Sequence, residues 1–519
     1  MVDVLLVNPP SVSSRFTNAP EEHLGLAYMA SALRRDGFSV EIIDAPAARL
    51  NYADLTKELS RRHFQLLGVS NLFQSNLAPL LKWLESLKAG GLKAHVTIGG
   101  HPATFTYREI LTEFDAVDSL VRGEGEITIV ELTRALSTGS DWRTVDGIAW
   151  RDGNEAIVNP GRPLIEDLNT LAWPARDIMA AQPRGFEQLT VSYSRGCQAF
   201  CSFCSIASFY RSFKGPVWRG RDPEDLLDEI DAAQMIAPKE MVLFIDDTFI
   251  GPGKIGKARA YKLAEAFAAR RRNYVWGAAC RANQVDEELF RKCRDAGLRV
   301  VFLGIESGNQ ETLRVFNKET TVETNRKAIE ILKKVDIVPE MGFIMFNPYT
   351  TFTNVRQDLD FLLETGCGPD VRQVSQMWLF PGQQLIPKLQ ADGLLGGSPL
   401  EYCANYVDER VEMLYKALER MFHDQAYPAM QAAQLIRAAR FGRTGPGQPS
   451  LAAVAAAVAE LRRIIYEIIN KAVDFFEFDN GPDRMPLLTK ELSERCDRLL
   501  ADTKRDAARP APVDKALAK

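Results

Sequence analysis

Histidine and cysteine are scarce in these 519 residues, at five and eight, and no apolar run approaches the roughly 20 residues needed to span a bilayer. So few cysteines over such a length exclude a disulfide framework and predict a reducing compartment. The opening MVDVLLVNPP lacks the basic stretch, apolar run and cleavage site of a secretory signal, so a cytoplasmic protein with no membrane partner is expected. Charge of one sign is also lacking: 63 Lys plus Arg against 68 Asp plus Glu give a net charge of −5, which argues against a nucleic-acid partner. There is no repeat of fixed period. What is present, 46% hydrophobic and 25% charged residues, suffices for a large core divided among two or three domains.

Residues 1–140 alternate short β-rich runs (VDVLLVN, SVEIIDA, LLGVS, HVTIGG, AVDSLVRG) with amphipathic helices such as LGLAYMASALRRDG. This order predicts a Rossmann-like, mostly parallel sheet with ligands at the carboxyl ends of its strands. Residues 141–187 carry Pro and Gly punctuation and predict a hairpin and an extended linker. Residues 188–390 return to a βα alternation that a partial or complete (β/α) barrel satisfies. Residues 391–503 predict a helical domain, whose second and third helices are separated by Gly442–Gln448, and 504–519 a disordered tail. The fold class is therefore α/β with a helical C-terminal domain.

Three of the eight cysteines crowd into Cys197-Gln-Ala-Phe-Cys201-Ser-Phe203-Cys204, directly after an apolar strand. Three thiolates on one compact loop can ligate three irons of a cubane and leave the fourth open for an exogenous ligand. Three unrelated buried cysteines are one alternative. Zinc is another, but it calls for paired C-x-x-C motifs or added histidine, and none of His23, His63, His95, His101 and His423 lies nearby. The scattered Cys280, Cys293, Cys367, Cys403 and Cys496 read as packing residues.

The C-x3-C-x2-C loop resembles the signature of the radical S-adenosylmethionine (SAM) superfamily, in which a 4Fe-4S cluster binds SAM at its open iron. The resemblance makes Cys197, Cys201 and Cys204 the cluster ligands and Phe203 the aromatic set against adenine. It places Asp246 or Asp247 of FIDDTF near the SAM amino group, unless either caps the next helix, and gives Arg281 of CRAN the carboxylate, unless it is a surface ion pair. Glu306 and Ser307 of GIESG fall near the ribose or substrate, with a solvated turn as the plain alternative. The family's usual Gly-x-Pro-Gly-type turn is replaced by Met345-Phe346-Asn347-Pro348-Tyr349-Thr350. Glu306 and Tyr349 are the catalytic candidates.

The preceding domain resembles the cobalamin-binding domain of B12-dependent radical SAM proteins. The matching turns are Asn8-Pro9, Ser70-Asn71-Leu72, Gly99-Gly100-His101 and Gly123-Glu124-Gly125, whose glycines would admit a bulky corrin; a domain that binds nothing is the alternative. No histidine lies in a D-x-H-x-x-G motif, so the lower face of the corrin is expected to meet the Ser70–Phe73 turn. Methylthiotransferases are disfavoured because no cysteine precedes Cys197 and the C-terminus is helical.

The resemblance implies C-methylation of an unactivated carbon in a small-molecule, secondary-metabolite-like substrate. The route would use a 5′-deoxyadenosyl radical and methylcobalamin, with electrons from an external flavodoxin-like donor. Rearrangement, ring contraction or oxidative cyclisation without methyl transfer is the alternative chemistry. A sensor of cobalamin or redox state is the non-enzymatic reading. The C-terminal helices are candidates for a lid. Arg437–Arg443 and Phe475-Phe476 are candidate contacts for a carrier protein or polar substrate, against solvated-face and core readings.

Overall fold

In the computed structural model, which describes residues 2–11, 21–182, 185–270, 274–370, 372–424, 451–478 and 481–508, the apolar run VLLV of β1 (Val2–Asn8) is buried on both faces. Leu5 and Val7 enter one hydrophobic core, and Val4 and Leu6 enter another. Such two-sided burial is the condition of a central strand in a parallel sheet. Around it lie β2 (Val40–Asp44), β3 (Phe64–Ser70), β4 (His95–Gly99) and β5 (Ser119–Val121), all parallel, in the order β2-β1-β3-β4-β5. Helices Leu24–Arg35 and Glu126–Thr138 cover one face, and Leu77–Ala89 and Tyr107–Glu113 the other. The strand order reverses between β1 and β3, so the crevice for a ligand opens at their carboxyl ends.

The segment expected as a linker does form a hairpin, β6 (Ile148–Asp152) and β7 (Glu155–Val158), but that hairpin continues the first sheet: β6 pairs antiparallel with β5. Pairing satisfies the free edge of the short strand β5. The connector proper follows Val158.

The second sheet is all parallel, ordered β14-β13-β12-β11-β8, from β8 (Leu189–Val191), β11 (Met241–Phe244), β12 (Val275–Arg281), β13 (Leu298–Glu306) and β14 (Val338–Phe343). A two-residue pair, β9 (Ser194–Arg195) and β10 (Arg219–Gly220), flanks the cysteine loop. One further parallel bridge, Phe346 to Gln376, extends the sheet, and it remains a partial barrel. Its convex side is packed by aromatics: Trp276 stacks between Phe244 and Phe267, at 5.2 and 5.0 Å.

The C-terminal helices Glu409–Asp424, Leu451–Phe478 and Gly481–Ala508 do not cover the barrel mouth. Ile464, Ile465, Ile468, Ile469 and Val473 merge with Val355, Leu359 and Phe361 of helix Phe352–Glu364 in the barrel's own core. Arg356 pairs with Asp474 at 2.6 Å and Tyr466 donates to Asp360 at 2.7 Å. These helices brace the outer wall, and Phe475 and Phe476 belong to that packing, so the lid expectation does not hold for these three helices. The last helix runs through 504–508, which were expected as tail. The helix expected near 430–442, the separator Gly442–Gln448, Arg437–Arg443 and residues 509–519 lie outside the described residues. Bridging the domains is the hairpin β15 (Leu395–Ser398) and β16 (Glu401–Ala404): Leu400 is buried in the first domain's core, and Gln74 donates to the Pro399 and Leu400 carbonyls at 2.7 and 2.6 Å. Among the described residues, no helix is long and apolar enough to cross a membrane.

Candidate functional site

The cysteine loop leaves β9 through Gly196, whose φ of +94° and lack of a side chain let the chain turn under the Val217 carbonyl. Both acids of FIDDTF pin this approach. Asp246 is buried and accepts from the Tyr193 amide at 2.9 Å and the Ser194 hydroxyl at 2.7 Å; burial pushes its carboxyl up to about 7. Asp247 accepts from the Gly196 amide at 3.1 Å. Asp246 is thus committed to the scaffold, and Asp247 is the one that faces open space. The loop is held from below by Ser202, which donates its amide to the Phe316 carbonyl at 2.8 Å and its hydroxyl to the Val315 carbonyl at 2.7 Å.

Arg281 ends β12 with one guanidinium nitrogen 3.1 Å from the Cys201 sulfur and another donating to the Lys318 carbonyl. Burial raises the Cys197 thiol and pushes that of Cys204 up to about 12, so iron binding must displace their protons. Among the described residues no three His, Cys, Asp or Glu side chains converge on a single ion. A cubane makes no such demand, since each thiolate takes a different iron. The donor set, with a cation against one sulfur, fits a cluster.

The barrel interior is open where a closed (β/α) barrel would be filled. Phe302 and Ile245 lie at 51% and 43% exposure along or just past central strands; Gly342 makes room for the Phe302 ring, and Gly304 for the side chains of Glu306 and Lys318. Glu306 ends β13 in the left-handed region, φ +66°, where the register with β14 shifts. A non-glycine residue held there stores strain that such sites commonly carry. Its carboxylate pairs with Lys318 at 2.6 Å, both side chains being largely buried, and the ammonium also stands 5.7 Å from the Phe203 ring centroid. Phe203 leans on Phe316 at 4.9 Å. Two expected residues do not join this group. Ser307 is fully buried and donates to Asp358 at 2.7 Å, and Tyr349 donates its hydroxyl to Asp392 at 2.7 Å under the Lys388 ammonium.

At the carboxyl edge of the first sheet, Asn71 is buried with both side-chain amide atoms lacking a protein partner. Next to it Leu72 and Phe73 stand at 47% and 41% exposure. Gly100, φ +111°, lies so close that a Cβ would overlap the Asn71 carbonyl oxygen. Orphaned polar atoms, exposed apolar side chains and a close backbone approach fit a large amphipathic ligand such as a corrin. Ser70 is buried and bonded to His23 at 2.7 Å, while the other ring nitrogen of His23 accepts from the Leu26 amide; burial pushes this imidazole down to about 4. Neither nitrogen of His23 is free for a metal. Asn8 donates to Asp44 at 3.2 Å, Pro9 is buried, and Gly99 carries the carbonyl that accepts from Asn71 at 2.9 Å. Glu124 is taken up by Arg195, Arg219 and the Ile165 amide, at 3.0, 2.8 and 2.7 Å, which removes it from the cobalamin contacts expected of it.

The two edges face one another. His101 packs edge-on against Phe209, behind the cysteine loop, with centroids 4.0 Å apart; Phe105 lies against Gly382; Gly123 lies against Phe213. The B12 binding domain family matches residues 18–133, and the Radical SAM superfamily matches residues 191–362. The chain is a cobalamin-dependent radical SAM protein. An uncharacterized methyltransferase of Pyrococcus horikoshii is 28% identical over 400 residues, 76% of this chain and 84% of that protein. The anaerobic magnesium-protoporphyrin IX monomethyl ester cyclase of Synechocystis is 27% identical over 367 residues, 69% of this chain and 70% of that protein. Among solved structures, the cobalamin-dependent SAM radical enzyme OxsB with aqua-cobalamin bound shares the fold with a TM-score of 0.78 at 21% identity, over 98% of this chain and 81% of that one. The cofactors of this cobalamin-dependent radical SAM protein are accordingly a 4Fe-4S cluster, SAM and cobalamin.

Sequence reasoning missed Lys318 in this radical SAM barrel, because NKET reads as an ordinary helix exit. Its signal is a lysine 12 residues after Glu306, which only the loop geometry brings back to that carboxylate. Arg195 and Arg219 were missed for the same reason: their partners lie 71 and 95 residues away.

Proposed function

We propose that this chain methylates an unactivated carbon of a small-molecule substrate held in the cleft between the carboxyl edge of the first sheet and the barrel mouth. The observation that supports this reading is the direct packing of His101 onto Phe209, behind the cysteine loop, which sets the carboxyl edge of the first sheet against the barrel. When bound, the cluster with SAM supplies a hydrogen-abstracting radical, and cobalamin supplies a methyl group. The protein's part is alignment and exclusion of water.

Cys197, Cys201 and Cys204 hold the cluster, with Arg281 against Cys201. Phe203 flanks the adenosine, Asp247 faces the SAM amino group, and the Glu306–Lys318 pair presents a fixed dipole to the ribose or substrate. The turns at Asn71–Phe73 and Gly99–His101 receive cobalamin. The apolar lining from Phe302 and Ile245 supports a substrate with an apolar body. Electrons come from an external flavodoxin-like donor, since Cys280, Cys293, Cys367, Cys403 and Cys496 are scattered along the chain and offer no second cluster loop.

The likeness to the ester cyclase supports a second reading, ring formation without methyl transfer. Turnover of candidate substrates with methyl-deuterated SAM separates the two. Product carrying the deuterated methyl supports methylation, whereas 5′-deoxyadenosine with an unmethylated, oxidised product refutes it.

A further inference from the structure

Between β5 and helix Glu126–Thr138 lies the turn Arg122-Gly-Glu-Gly-Glu126, at the ligand edge of the cobalamin domain. Its two carboxylates are taken up by arginines of the facing domain. Arg195, two residues before Cys197, sends one guanidinium nitrogen to Glu124 at 3.0 Å and the other to Glu126 at 2.6 Å. The second oxygen of Glu124 accepts from Arg219 at 2.8 Å, and Arg219 is the backbone partner of Arg195 in the β9–β10 pair. All four side chains are largely buried, and the Tyr28 ring lies beneath Arg195 at 5.1 Å. Burial works against the charge on Glu124, and the two guanidiniums outweigh it, holding its carboxyl below the usual range. Gly123, φ +75°, has no room for a Cβ against the Phe213 ring.

We propose that Arg195 is a positioning residue that, with Glu124, Glu126 and Arg219, locks the cobalamin-side turn onto the strand delivering Cys197 and so fixes the separation of the two cofactors. A planar fork that meets two carboxylates two residues apart constrains both translation and tilt, which a single ammonium does not. Buried ion pairs add little net stability over apolar packing, so the role proposed for this cluster is geometric. Its place matters for the same reason: reacting groups misplaced by about 1 Å lose on the order of a hundredfold in rate. This inference rests on the cobalamin reading above.

The test uses the full chain, reconstituted anaerobically with iron, sulfide and hydroxocobalamin and then reduced so that cobalt and cluster are both paramagnetic. Iron and cobalt per chain are counted, and the dipolar broadening of the cobalt EPR signal by the cluster is measured. Arg195→Lys keeps the charge and loses the fork; Glu126→Gln is isosteric and keeps most packing. Both are expected to retain both metals while the broadening shifts from that of the unsubstituted chain, because dipolar coupling falls with the inverse cube of the separation. Arg134→Gln, which removes an exposed pair with Asp36, should match the unsubstituted chain. Full metal content with unaltered broadening in both variants overturns the clamp alone, as does loss of metals from both, since a positioning residue alters geometry and not occupancy. An unsubstituted chain that takes up iron and no cobalt overturns the cobalamin reading itself.

Discussion

Gly100→Ala should abolish tight cobalamin binding and spare the cluster. The new Cβ would overlap the Asn71 carbonyl oxygen and stand 3.0 Å from its carbon, so the two turns must part by on the order of 1 Å to reach ordinary contact. Holding alanine at φ +111° adds strain of about 1–3 kcal/mol. If the turn relaxes to a conformation that no longer receives the ligand, the combined penalty of roughly 2–3 kcal/mol appears as a 30- to 150-fold rise in Kd. Titration of the cluster-loaded chain with hydroxocobalamin, read by absorption after desalting, measures it. Arg134→Gln, which removes an exposed pair with Asp36 in the same domain, is the folding control. An unchanged Kd in Gly100→Ala would refute the placement of cobalamin over the Asn71–Gly100 contact.

Cys201→Ala should lose its iron yet keep cobalt, because the cobalamin domain has its own two cores; simultaneous loss of cobalt, by elemental analysis, would contradict that independence. Lys318→Met leaves the Glu306 carboxylate buried and unpaired and should cost about 3–5 kcal/mol in denaturant unfolding of the barrel, with Glu306→Gln restoring much of it in the double variant. Asp358 has its carboxyl pushed up to about 8 by burial, against its bonds from Ser307 and Gly308. The folded state therefore holds a proton that the unfolded chain releases near pH 4, and this contribution to stability is present below pH 4 and lost as pH rises to about 8. Asp358→Asn should flatten that part of the stability–pH profile and equal or exceed the unsubstituted chain at pH 9; an unchanged slope would assign it to other groups.

Features written in contiguous residues were legible in the sequence. The two-sided apolar run of β1, the alternation of strands and helices and the eight-residue cysteine loop all carry their meaning locally. Residues whose role depends on a distant partner were not. Glu124 sits in a glycine-flanked turn that suggests a ligand, but its partners arrive from the two strands that flank the cysteine loop. Ser307 follows the strained Glu306 and reads as its companion; the register shift at that point turns Ser307 into the core against Asp358. The amphipathic C-terminal helices display an apolar stripe with no indication of what it covers, and it covers helix Phe352–Glu364. Strand β6 was legible as half of a hairpin, but its pairing with β5 follows from the exposed edge of β5, which no local pattern reveals.

The most direct test of two cofactors in one cleft is the count of cobalt and iron per chain after anaerobic reconstitution with hydroxocobalamin and desalting. About one cobalt and about four irons in the same chain is the predicted result. Iron without cobalt would leave a radical SAM barrel and contradict the placement of cobalamin at the Asn71–Gly100 edge.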